Sequence, residues 1–329
     1  MSNDATKPKS DYLSVLAQFK NETMNLRVWI EHYLWQGVDH FYLIDNDSND
    51  RPLDILQDYI DRGIVSYYFM PEPQSQVPNY ETIFVRERLR DATEWLIVCD
   101  LDEFFFGTET TLRRVLRSMP ASCRVIDSQW YNYGHDDRQA HPDDIRTGNL
   151  HRDPDLKNTK TIFRTDVITR KDMVNIHYLH NYDGPVTREN TRIRLHHYRL
   201  QSYEYFQRVK MARGDACYTT NNRTDDYFHQ ENKVCTLYDD TLKQLVDKYQ
   251  DVEYDVRPPT DRNRNEDGDH FAVGTEGAYG SWSNSWWSSN ITWTMATAFV
   301  GCLAVVMVSS WYTLALTKNI RVRSHKKKM

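Results

Sequence analysis

The sequence predicts an α/β fold with a mostly parallel central sheet, and three observations carry that prediction. Short apolar runs rich in β-formers alternate with amphipathic stretches over the first hundred residues. The order reads β-α-β-α-β-α-β, which is the signature of strands joined by crossover helices. The run Trp95–Cys99 is apolar throughout, as a strand buried on both faces must be, and it ends abruptly in Asp100, Asp102 and Glu103. No Gly-rich phosphate loop of the GxGxxG or Walker kind accompanies this nucleotide-binding type of architecture. Phosphate would therefore have to be held another way.

Taken in order, residues 1–10 are polar and are expected to be disordered, with no secretory signal among them. Tyr12–Phe19 forms the first strand. The stretch RVWIEHYLWQG repeats apolar Val28, Ile30, Tyr33 and Leu34 at helical spacing and stops at Gly37. His40–Ile44 is a second strand, ending in the turn-forming series Asp45 to Asp50. Pro52 opens a helix over Leu53–Arg62 that Gly63 closes. Ile64–Phe69 is a third strand, PEPQSQVP a loop, and Tyr80–Thr93 a charged helix leading into Trp95–Cys99.

Beyond the acidic turn, Thr110–Met119 reads as a helix and Arg124–Asp127 as a strand. WYNYGHDDRQAHPDD is then a polar loop. Thr161–Thr165, Asn175–Leu179 and Arg192–Tyr198 read as strands, and Ser202–Arg213 and Asp239–Tyr249 as helices. The folded domain is thus placed at 11–250. Residues 251–290 are rich in Pro, Gly, Asp, Asn and Ser and read as a linker or stalk. Trp293–Leu316, within a span placed at 291–317, is long and apolar enough for a single transmembrane helix, and Trp286, Trp287, Trp293, Trp311 and Tyr312 sit where interfacial belts belong. A basic tail, 318–329, follows.

Net charge and cysteines narrow the classes. The chain carries −6, but six cations lie in that tail, leaving an acidic body of −12. Such a body argues against nucleic acid as partner. Five cysteines at scattered spacings form neither a zinc motif nor a disulfide framework. The tail favours a cytosolic C-terminus. A C-terminally anchored chain with its domain facing the cytosol requires only the short tail to cross, and that orientation is the expectation here; the lumenal one is the alternative.

The acidic turn is the candidate site. Asp100 and Asp102 stand at i and i+2, on one side of an extended chain. The carboxyl edge of an open sheet is where ligands bind. Two carboxylates with room to spare suit Mn²⁺ or Mg²⁺, which keep coordination sites for phosphate oxygens.

Three segments resemble a known group. FKNETMNLRVWIEHYLWQGVDHFYLIDNDSND is similar to the opening of glycosyltransferase family 92 and related family 2-like proteins. WLIVCDLDEFFF is similar to their Asp-x-Asp-Glu-Phe core, and HHYRLQSYEYFQRVKMARG to their later His-Tyr, Glu-x-Phe, Lys and Arg-Gly segment. Gln201 stands where that group usually has Lys. The resemblance covers about residues 13–215 and implies a GT-A fold, a Rossmann-like domain that binds a nucleotide-sugar with a divalent metal. It further implies a transferase similar to inverting galactosyltransferases, acting on a glycan, glycoprotein or glycolipid.

On that reading Asp102 is the direct metal ligand, with Asp100 on the metal or the ribose and Glu103 orienting both. His197, or His177, would supply a third ligand. Lys20, Asn21, Asp45 and Asn46 would meet base or ribose, and Arg86, Arg90 and Lys210 the diphosphate; Arg86 and Arg90 lie four apart on the expected helix. The base that accepts the acceptor's proton is sought among Asp136, Asp137 and Asp183. Two other classes use the same acids: a metal-dependent phosphoester hydrolase, and a non-catalytic, membrane-tethered module that binds a nucleotide-sugar or carbohydrate.

Overall fold

The computed structural model describes residues 9–213 and 223–249. The first part of the chain folds as β1 (Asp11–Phe19), α1 (Thr23–Trp35), β2 (His40–Asp45), α2 (Leu53–Asp61), β3 (Val65–Phe69), α3 (Gln76–Arg86), α4 (Leu89–Ala92) and β4 (Thr93–Val98). This is the expected alternation. Gly37 and Gly63 end α1 and α2 at φ of +89° and +68°, a left-handed backbone that costs glycine least. The single helix expected over Tyr80–Thr93 is two, because Arg88 adopts φ +52° and breaks it.

The second part runs β5 (Glu103–Gly107), α5 (Leu112–Ser118), β6 (Val125–Asn132), α6 (Ile145–Gly148), β7 (His151–Arg152), β8 (Lys157–Arg164), β9 (Thr187–Arg188) and β10 (Ile193–His197). It closes with α7 (Tyr203–Tyr205), a π-helical turn over Phe206–Met211, α8 (Asp225–Asn232), β11 (Leu237–Tyr238) and α9 (Thr241–Tyr249). Asn175–Leu179, expected as a strand, makes no ladder. Its β-forming residues instead pack Leu179 against the sheet as part of a loop. β6 is longer than expected and runs on to Asn132, so the first three residues of the expected polar loop, Trp130, Tyr131 and Asn132, are strand.

The main sheet has the order β3-β2-β1-β4-β8-β6-β10-β5. β3, β2, β1 and β4 are all parallel. β8 runs antiparallel to both β4 and β6, and β5 antiparallel to β10. The sheet is therefore parallel in its first half and mixed in its second. Strand order reverses between β1 and β4, and a cleft at the carboxyl ends of such a pair is the usual ligand position in open α/β sheets.

Both faces of β4 are covered, which explains its unbroken apolar run. Trp95 and Ile97 pack with Trp29 and Tyr33 of α1 on one face; Leu96 and Val98 pack with Tyr80, Ile83 and Phe84 of α3 on the other. Cys99, Cys123 and Cys235 are free thiols. Among the described residues no helix is long and apolar enough to cross a membrane. The expected linker, membrane span and basic tail, and all but the last two residues of the expected N-terminal disorder, lie outside the described residues.

Candidate active site

The acidic turn leaves β4 at the switch point and is gripped from below. Trp29 Nε1 donates to the carbonyls of both Asp100 and Glu103, each at 3.1 Å. Asp100 has both carboxylate oxygens engaged. Oδ1 accepts from Gln76 Nε2 at the start of α3 (3.0 Å), and Oδ2 from Lys160 Nζ on β8 (2.9 Å). Lys160 is wholly buried, and its ammonium also lies 3.1 Å from Glu103 Oε2. That same oxygen accepts the Asp100 amide at 2.9 Å.

One ammonium thus serves two carboxylates, and their proton affinities diverge. Burial works against the Lys160 charge, but Asp100 and Glu103 outweigh it and hold its pKa above the ordinary value. Burial also opposes the Asp100 charge, yet Lys160 keeps that carboxyl below its usual range. Burial raises Glu103 to about 8, against the opposing pull of Lys160. Its Oε1 has no hydrogen-bond partner among the described residues.

Asp102 is held differently. Its Oδ2 accepts from Lys210 Nζ at 2.5 Å and lies 3.6 Å from His197 Nε2. Burial would raise Asp102, but Lys210 and then His197 hold it well below the carboxylate range. Burial depresses His197, leaving a neutral ring. His197 Nδ1 lies 2.8 Å from Asn132 Oδ1, an oxygen that can only accept. A proton on Nδ1, donated to Asn132, would leave Nε2 to turn a lone pair toward a cation beside Asp102. Trp130 lies against the ring, 4.3 Å between centroids.

Lys210 reaches Asp102 from the π-helical turn, which a buried network seats on β1. Tyr205 Oη donates to Glu22 Oε2 at 2.5 Å, Glu22 pairs with Arg213, and Arg213 donates to the Lys20 carbonyl at 3.0 Å. A second network fixes the turn's start. Asn25 of α1 donates to Gln201, and His141 lies within hydrogen-bond distance of Asn25 (3.0 Å) and Ser202 (3.3 Å). Gln201, at φ +60°, is thus a buried strut between α1 and the chain entering α7.

Asp102 Oδ2 and His197 Nε2 face each other 3.6 Å apart, a carboxylate and an imidazole, which are donor types a divalent cation would accept. Among the described residues no third His, Cys, Asp or Glu joins them. Two protein donors are what Mg²⁺ or Mn²⁺ requires when substrate phosphates and water complete the shell. Asp100, with both oxygens bonded, is placed as a fixed part of the frame. His177 has Nδ1 at 3.3 Å from the Thr159 carbonyl and packs on Trp130, the ring that His197 also packs on, near enough to feel the Asp100 charge.

The remaining predicted residues divide. Lys20 and Asn21 do lie beside the β2 turn: Lys20 pairs with Asp47 at 3.2 Å, and Asn21 Oδ1 accepts the Asn49 amide. Asp45 is buried and bonded to Tyr67 Oη (2.6 Å) and the Ser48 amide (2.8 Å), an Asx turn. Asn46 spends its amide hydrogens on the carbonyls of Met70 and Glu72. Arg86 and Arg90 do not share a helix face, since the break at Arg88 separates them. Arg86 lies over Tyr68, and the Arg90 carbonyl accepts from Thr165, whose hydroxyl also reaches Thr93 at the amino end of β4. The structure thus carries Arg90 to the edge opposite the acidic turn. Asp136 accepts the Leu150 and His151 amides, while Asp137 and Asp183 are exposed.

Lys160, Gln76, Asn132, Glu22 and Tyr205 were not singled out from sequence. Lys160 had one signal: a cation immediately before the expected strand Thr161–Thr165.

The fold and the site together define an α/β protein that gathers acids, two lysines and a histidine at the carboxyl edge of a switch-point sheet, the usual ligand position in open α/β folds. The chain belongs to glycosyltransferase family 92, whose profile matches residues 13–245. A family 92 protein of Oryza sativa subsp. japonica is 24% identical over 270 residues, covering 75% of this chain and 46% of that protein. One of Arabidopsis thaliana is 22% identical over 226 residues, covering 64% and 38%. The chain thus spans less than half the length of these relatives. Among solved structures, residues 1–349 of S. aureus TarS in complex with UDP give a TM-score of 0.38 at 11% identity, covering 67% of this chain and 70% of that one. HddC from Yersinia pseudotuberculosis gives 0.31 at 13%, covering 56% and 92%.

Proposed function

We propose that this chain transfers a hexose, with galactose the sugar its resemblance names, from a nucleoside-diphosphate sugar to a hydroxyl of a glycan, glycoprotein or glycolipid, with inversion. One observation carries the reading: Asp102 Oδ2 and His197 Nε2 lie 3.6 Å apart at the switch-point edge, with Lys210 beside them. Asp102 and His197 would hold Mn²⁺ or Mg²⁺, which when bound offsets the charge that grows on a leaving diphosphate. Asn132 keeps His197 in the tautomer that can do this. Lys160 and Gln76 fix Asp100, and with it the path of the turn. Lys210 stands beside Asp102 as a second positive charge for the diphosphate. Asp137 and Asp183 are exposed carboxylates able to take a proton from the acceptor, whereas Asp136 is committed to two amides. Anchoring by Trp293–Leu316, with the folded domain facing the cytosol, belongs to the same proposal.

The test is a donor screen on the full chain with Mn²⁺. One nucleotide-sugar should be slowly hydrolysed, and Asp102→Ala should lower that rate by about 10³-fold. Hydrolysis of simple phosphoesters with no preference for nucleotide-sugars would favour a phosphoesterase instead. Tight nucleotide-sugar binding without turnover would favour a binding module.

A further inference from the structure

We propose that a cleft on the α3-bearing face of the sheet, framed by Asp127, Thr159, Thr161, Tyr178, Tyr182 and Arg188, is a saccharide subsite. It would hold the part of an acceptor glycan that lies beyond the sugar being modified. This rests on the glycosyl-transfer reading and adds to it where the acceptor runs.

The cleft has a volume of about 280 Å³, at the small end of ligand pockets and suited to a single sugar ring. Its floor comes from two antiparallel strands. Asp127 of β6 pairs with Thr161 of β8, and Gln129 with Thr159, so Asp127, Thr159 and Thr161 share one face. Asp127 is buried, with 8% of its surface exposed. Its Oδ2 meets Arg188 at 2.8 Å, but Oδ1 has no hydrogen-bond partner among the described residues.

A buried carboxylate oxygen without a donor is costly, and the missing partner is an O–H or N–H. A sugar hydroxyl supplies one. A carboxylate–guanidinium pair beside threonine hydroxyls can serve adjacent hydroxyls, accepting from one and donating to the next. Tyr178, 53% exposed, and Tyr182 provide aromatic surface for the apolar face of a pyranose. An anion is disfavoured here because Arg188 is already neutralised by Asp127.

Position fits the same role. Asp127 lies two strands across from β4 and about two residues below the acidic turn, roughly 12 Å along the sheet. That is farther than one sugar ring reaches. The two places are contiguous through the chain itself: His177, beside Trp130 and bonded to the Thr159 carbonyl, directly precedes Tyr178.

The experiment uses the full chain and the variants Asp127→Asn, Tyr178→Ala and Arg188→Met. Donor hydrolysis with water as acceptor should stay within about twofold of wild type. Transfer to disaccharide glycosides should fall about tenfold through KM, while transfer to methyl monosaccharides stays unchanged. Equal losses on short and long acceptors, or none, would overturn the subsite. If wild type hydrolyses no nucleotide-sugar, the transferase reading fails by itself. The subsite is then decided by saturation-transfer NMR with lactose, chitobiose and mannobiose: binding lost in the variants supports it, and no binding to wild type refutes it.

Discussion

Asp100 and Asp102 are two residues apart, yet they are held by different sets of partners. The Asp100 side is frame. Its partners, Lys160, Gln76 and Glu103, come from β8, the start of α3 and the start of β5, and Lys160 and Glu103 are wholly buried. The Asp102 side is assembled late, from His197 at the end of β10 and Lys210 on a π-helical turn seated by the Glu22 and Gln201 networks. The difference teaches that an Asp-x-Asp pair need not be two equivalent ligands. Asp100, a third exposed, is braced by β8 and α3, while Asp102, almost wholly buried, is held by Lys210 and faces His197.

The largest effect that would break this contrast is on stability. Lys160→Met leaves the buried Glu103 and the one-third-exposed Asp100 without their hydrogen-bonding cation and should cost about 1–3 kcal/mol in urea denaturation. Lys160→Met with Asp100→Asn should recover most of it. A loss below about 1 kcal/mol would show that Asp100 is not frame at all. Lys210→Met sharpens the other side: donor hydrolysis should fall about 10²-fold, with a smaller loss of stability than Lys160→Met. Equal stability losses would erase the distinction.

The smallest effect is a pH slope belonging to the Asp102 side alone. Burial holds His141 at about 4, below its ordinary 6.5. The folded chain then binds fewer protons there than the unfolded one. Its contribution is complete above 6.5 and is lost as pH falls toward 4. His141→Gln should flatten that part of the urea-midpoint profile; a slope equal to wild type would remove His141 from the account.

The alternation from β1 to β4 was legible because β1, β2 and β4 are largely apolar runs covered on both faces, and each helix carries its own period. Asp102 and His197 were legible through a spacing and a matched segment. The Lys160 clamp was not, because Thr159-Lys160-Thr161 looks like any strand edge with an outward lysine. Only the pairing of β8 beside β4, 60 residues apart at the Lys160–Asp100 contact, turns that lysine inward. β5 was missed for a related reason: Phe104, Phe105 and Phe106 read as aromatics trailing a turn until β10 supplies an antiparallel partner. Asn175–Leu179 shows the converse, a β-forming composition with no free strand to pair.

The π-helical turn over Phe206–Met211 makes the aim of Lys210 a matter of counting. Each turn of that geometry takes up an extra residue relative to an α-helix. An ordinary helix over the same stretch would swing the amine by most of a quarter-circle. A one-residue deletion between Ser202 and Val209 would therefore disarm Asp102 while sparing every side chain that touches it.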